Sequence, residues 1–88
     1  MCMIVETIIR HEVGLHARPA VLFVQVAGKY QADVRVHYNG KEANGKSLLS
    51  ILGLGIKKNA HITIQTEGKD SSKALQELRE LVENNFGE

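Results

Sequence analysis

The sequence predicts an α+β domain, a two-layer sandwich of antiparallel sheet and helices. Three observations carry this. Ala32 to Tyr38 and Ala60 to Thr66 alternate apolar and polar residues at the two-residue period of half-buried strands. Asn39-Gly40, the strongest short hairpin signal, joins the first of these to a brief return strand. Apolar stretches bounded by proline, serine and glycine separate the strands and read as helices. Alternating strands favour an antiparallel sheet with one wet face, and the helices cover the other.

In chain order the elements are strand, helix, strand, strand, helix, strand, helix. Met3 to Arg10 is rich in Ile, Val and Thr and is the first strand. Ile4-Val5 and Ile8-Ile9 interrupt its alternation, so the pattern does not single out its buried face. The first helix spans about Arg18 to Lys29 and stops at Gly28. Its apolar stripe falls on Val21, Val24 and either Leu22 or Phe23. Phe23 lies off that stripe and is expected to be partly exposed.

Val34, Val36 and Tyr38 share one strand face, with Asp33, Arg35 and His37 on the other. Lys41-Glu42-Ala43 is short and charged, as suits a sheet edge. Ser47 has the position of an N-cap for a short helix stopped by Gly53 and Gly55. That helix is apolar nearly all round. A helix this short cannot bury every side, so some of Leu48, Leu49 and Leu52 should be exposed and mark a contact surface. In the next strand Ile62 and Ile64 point inward, opposite His61, Thr63 and Gln65. Asp70 or Ser71 caps the last helix, whose stripe is Leu75, Leu78, Leu81 and Val82, with Phe86 closing it. Lys73/Glu77 and Arg79/Glu83 are i,i+4 pairs worth about 0.2–0.5 kcal/mol each.

The 88 residues make a single domain over 1–88. A net charge of +1 and an aromatic content of 5% argue against nucleic-acid binding. The lone cysteine, Cys2, forms no intrachain disulfide and no metal cluster, which fits a reducing cytoplasm. No secretory leader or membrane-spanning stretch is expected.

Chemistry concentrates in Gly14-Leu15-His16-Ala17-Arg18-Pro19-Ala20, which holds the chain's one proline. Pro19 suits the first turn of a helix, where its missing N–H has no partner to lose. His16 then sits beside unpaired backbone N–H groups at the positive end of the helix dipole. Such a place holds anions. A nucleophilic imidazole there suggests a histidine that carries phosphate, with the forked guanidinium of Arg18 gripping the phosphoryl oxygens. Phosphoryl transfer is mostly positioning and charge stabilisation, so a small scaffold with a partner suffices. The chain has no Gly-x-x-x-x-Gly-Lys loop and no acidic metal cluster, so no nucleotide, metal or other cofactor is expected. His11, His37 and His61 have no metal-ligand pattern around them.

Residues 14–20 are similar to the active-site signature of the HPr family, the histidine-containing phosphocarriers of the bacterial sugar phosphotransferase system. Asn44 to Gly55, with Lys46-Ser47 ahead of apolar residues, resembles that family's regulatory serine signature. The likeness covers nearly the whole chain. It implies an open-faced β-sandwich with strand order 1-4-2-3 under three helices. It also implies a carrier rather than an enzyme, monomeric and cytoplasmic. His16 would accept a phosphoryl group from phosphorylated enzyme I and pass it to an enzyme IIA domain. Arg18 and the backbone amide of Ala17 would stabilise the phosphohistidine. Ser47 would be the target of an HPr kinase/phosphorylase, with a transcription regulator as a further partner. Phe23, Leu48, Leu49 and Leu52 would form the docking surface. The chain departs from the family in reading Lys46-Ser47-Leu48-Leu49-Ser50, where many serine-regulated members have Lys-Ser-Ile-Met-Gly. Two other roles compete: a carrier of the nitrogen-related phosphotransferase branch, and a regulatory module acting through phosphorylated Ser47 with His16 idle.

Overall fold

The computed structural model describes residues 2–12 and 14–87. Strands β1 (Cys2–Ile9), β2 (Asp33–Tyr38), β3 (Lys41–Asn44) and β4 (Ala60–Glu67) form one antiparallel sheet in the order β1-β4-β2-β3. Helices α1 (Ala17–Gly28), α2 (Leu48–Gly53) and α3 (Ser71–Glu83) are followed by a single 3-10 turn, Asn85–Gly87. The hairpin at Asn39-Gly40 forms with both residues at positive φ, 53° and 77°, the backbone that Asn-Gly supplies at low cost.

Pairing with β4 settles the face of β1. Ile4 stands opposite Gln65 and Ile8 opposite His61. Ile4 is therefore on the wet face, at 60% exposure, while Ile9 is fully buried. The core lies between the other sheet face and the helices. Val34, Val36, Ile62 and Ile64 line it from the sheet, and Phe23, Ile51, Leu78 and Val82 from the helices. Ile62 and Ile64 thus point inward as the alternation predicts.

Helix α1 departs from expectation. Its buried residues are Pro19, Ala20, Phe23 and Ala27, and Phe23 is 0% exposed. Val21, placed on the inner stripe by its hydrophobicity, is exposed. The small side chains explain the rotation. Ala20 and Ala27 let the helix approach the sheet closely, and Phe23 between them fills the gap.

Helix α3 also departs in its polar contacts. Asp70 is the N-cap residue, but its side chain caps nothing. Its carboxylate accepts the backbone N–H groups of Gln31 at 2.9 Å and Ala32 at 2.8 Å, tying the α1–β2 loop to α3. These bonds, the one from Gln31 above all, hold the carboxyl below its ordinary range. Arg79 and Glu83 pair at 2.9 Å as the spacing predicts. Glu77 instead meets the Lys29 ammonium and the Tyr30 hydroxyl, which lower its pKa in that order.

Candidate functional site

The loop from β1 to α1 is built on a glycine. Gly14 has φ +72°, and a Cβ there would lie 2.4 Å from the Ile56 carbonyl oxygen and 2.7 Å from the Lys57 Cα. No side chain fits. Gly14 N–H donates to the His11 carbonyl at 2.9 Å, and Leu15 N–H to that of Ile56 at 3.1 Å. Leu15 is buried. The chain thus arrives at His16 from an anchored position.

His16 is the N-cap of α1, with extended backbone (φ −89°, ψ −167°) and no side-chain capping bond. Its carbonyl accepts the Ala20 N–H at 2.8 Å, closing the first helical turn. Three amide positions precede Ala20 in the helix, and one is Pro19, which has no N–H. The N–H groups of Ala17 and Arg18 are the remaining donors of the helix start. No acidic residue lies in the first turn to neutralise them. His16, Ala17 and Arg18 are all exposed, between buried Leu15 and buried Pro19. An imidazole, two amides and a guanidinium therefore share one exposed helix end. This is the arrangement of an anion site with a nucleophile in it.

The turn into α2 is equally tight. A Cβ on Gly45 would meet Val34 Cγ1 at 2.4 Å and the Phe23 ring at 3.3 Å. Gly45 N–H donates to the Val34 carbonyl at 2.7 Å. The Asn44 side chain accepts the Lys46 N–H at 2.9 Å, and the Lys46 ammonium donates to the Tyr30 carbonyl at 2.7 Å. Ser47, half-buried, accepts the Ser50 N–H on its Oγ at 3.3 Å as N-cap.

Leu49 is 82% exposed, and Leu48 and Leu52 are half-buried, while Ile51 carries the packing of α2. The expected apolar surface is therefore present on the leucines. Phe23 is not part of it. Its ring lies inside, beneath Gly45, and supports the turn that leads to Ser47. Sequence periodicity could not show this, because the partner of Phe23 is a glycine far along the chain. Beyond α2, Leu54 and Ile56 are buried, and the Ile56 carbonyl is the one that receives Leu15. The segment that follows α2 is thus bonded to the His16 loop. Composition did not single out Ile56; the only signal was an isolated apolar residue between Gly55 and Lys57.

Among the described residues no group of three or more His, Cys, Asp or Glu could hold a metal ion. Among them, too, no helix is long and apolar enough to cross a membrane.

The family model described as the PTS HPr component phosphorylation site matches residues 5–84. HPr-C-His of Thermoanaerobacter tengcongensis is similar at 38% identity and TM-score 0.95, over 98% of this chain and 97% of that one. The phosphocarrier protein HPr of Bacillus anthracis is similar at 40% identity and TM-score 0.88, over 92% and 96%. Crh of Bacillus subtilis, a catabolite repression protein described as a domain-swapped dimer, is similar at 36% identity and TM-score 0.76, over 86% and 87%. Fold and site together define a small α+β domain that presents a histidine at a helix start. The chain belongs to the PTS HPr family and has the phosphocarrier role of that family in the phosphotransferase system.

Proposed function

We propose that His16 accepts a phosphoryl group from phosphorylated enzyme I and passes it to a histidine of an enzyme IIA domain during sugar uptake. One observation carries the reading. His16 is an exposed N-cap whose imidazole makes no capping bond, beside two helix-start amides and Arg18. A ring nitrogen of neutral His16 attacks the phosphorus through its lone pair. The bond to the donor nitrogen breaks, the electron pair leaves with the donor imidazole, and that ring gains a proton as the far nitrogen of phosphorylated His16 releases one. The amides of Ala17 and Arg18 and the Arg18 guanidinium hold the phosphoryl oxygens, which carry the charge through the transfer. The protein is a carrier rather than an enzyme, acting as a monomer in the cytoplasm.

Leu48, Leu49 and Leu52 form the surface on which enzyme I and enzyme IIA dock. Phosphorylation of Ser47 by an ATP-dependent kinase regulates docking there. The added charge sits at the start of α2, where the helix end tolerates it, but beside the leucines, where a partner must exclude water. The likeness to Crh favours a second reading, in which phosphorylated Ser47 binds a transcription regulator while His16 is idle. Acid lability separates the two. A phosphoryl group gained from phosphoenolpyruvate and enzyme I, and lost in mild acid, supports the carrier. An unchanged mass refutes it.

A further inference from the structure

We propose that Phe86 is a positioning residue for His16, acting through His11 on the loop that presents the imidazole. This rests on the reading of His16 as the phosphoryl acceptor. After α3 the chain takes two successive left-handed residues, Asn85 at φ 54° and Phe86 at φ 57°, ψ 30°. Glycine and asparagine adopt this region readily, and a bulky side chain rarely does. All other positive-φ positions among the described residues are glycine or asparagine. Such a conformation persists only where the surroundings impose it.

The turn aims the ring of Phe86 back into the molecule, where it is 4% exposed. The ring meets His11 edge to face, with centroids 6.1 Å apart and planes at 75°. His11 is itself buried, at 8% exposure. Its carbonyl accepts the Gly14 N–H at 2.9 Å, so the residue braced by Phe86 also closes the turn before His16. From the other side the segment after α2 grips the same loop. Leu15 N–H meets the Ile56 carbonyl at 3.1 Å, the Lys58 ammonium meets Glu12 at 3.1 Å, and Asn59 N–H meets the Ile9 carbonyl at 2.6 Å. The loop is clamped between this segment and the chain's last turn. Without Phe86 one jaw is missing, and His16 keeps its chemistry but loses its aim. In-line transfer between two histidines is sensitive to small displacements.

Phe86→Ala, Phe86→Leu, His11→Ala and the Phe86→Ala/His11→Ala double variant test the proposal. Single-turnover transfer from phosphorylated enzyme I is measured as its concentration is varied, per folded molecule. Phe86→Ala should lower the maximal rate by roughly tenfold. The half-saturating enzyme I concentration should not move, because the leucine surface is intact. His11→Ala should do the same, the double variant should add little, and Phe86→Leu should recover most of the rate. A wild-type maximal rate in Phe86→Ala overturns the proposal. If that variant fails to fold, a wild-type maximal rate in His11→Ala does so instead. Amide hydrogen exchange gives an independent readout: Gly14 and Leu15 should exchange faster in Phe86→Ala. If wild-type protein takes no phosphoryl group, the carrier reading fails, and this exchange still tests the clamp.

Discussion

At the scale of single residues, function depends on which side chains the backbone leaves outside. Leu15 and Pro19 are buried and the three residues between them are not, so His16 and Arg18 are held out by their neighbours. Arg18→Lys keeps the charge but loses the fork that binds two oxygens. It should slow transfer less than Arg18→Ala does, a ranking readable from single-turnover rates. Phe23→Ala should cost about 3–5 kcal/mol in denaturant unfolding, since it empties the space beneath Gly45. The helix start at His16 was legible because Gly14, His16, Arg18 and Pro19 are adjacent in sequence. The burial of Phe23 was not. Hydrophobicity ranks valine above alanine, yet close packing against the sheet prefers Ala20 and Ala27 on the inner face. Glu77 misled for a related reason: its real partners, Lys29 and Tyr30, come from another element.

Elements bring the parts together. Helix α1 carries the proposed anion site and α2 the exposed leucine, and the bond from Leu15 to Ile56 ties the loop before α1 to the segment after α2. Leu49→Glu should weaken enzyme I binding in a calorimetric titration. Stability should change by no more than about 0.5 kcal/mol, because Leu49 is a surface residue on the solvent side of α2. Unchanged affinity would remove the docking surface from α2. The regular alternation of β2 and β4 made their faces readable from sequence. That of β1 was decided by a partner strand more than fifty residues away, as the pairing of Cys2 with Glu67 shows. Register of that kind is long-range and leaves no local mark.

The whole molecule is held by contacts between distant segments, and some of them titrate. Asp70 ties α3 to the α1–β2 loop, and its pKa lies below the ordinary 3.8. Glu77 likewise lies below its ordinary 4.5, through Lys29 and Tyr30. A carboxyl lowered by folding stabilises the native state fully above its unfolded pKa, and that contribution is lost as pH falls through the folded value. The contribution of these two carboxyls should therefore be constant near neutrality and decline through the acidic carboxylate range. Asp70→Asn should lower stability at pH 7 and flatten the acid slope, which urea midpoints against pH will show. The layer arrangement was legible in the alternation of β2 and β4, the strand order came only from the family likeness, and both are observed.

The proposed role of His16 is to carry the phosphoryl group. Its most direct measurement is mass spectrometry of the wild-type chain and His16→Ala after incubation with phosphoenolpyruvate and enzyme I, both proteins confirmed folded by thermal melts. One acid-labile phosphoryl group is expected on the wild type, mapped to His16, and none on the variant. Equal labelling of the variant would contradict it.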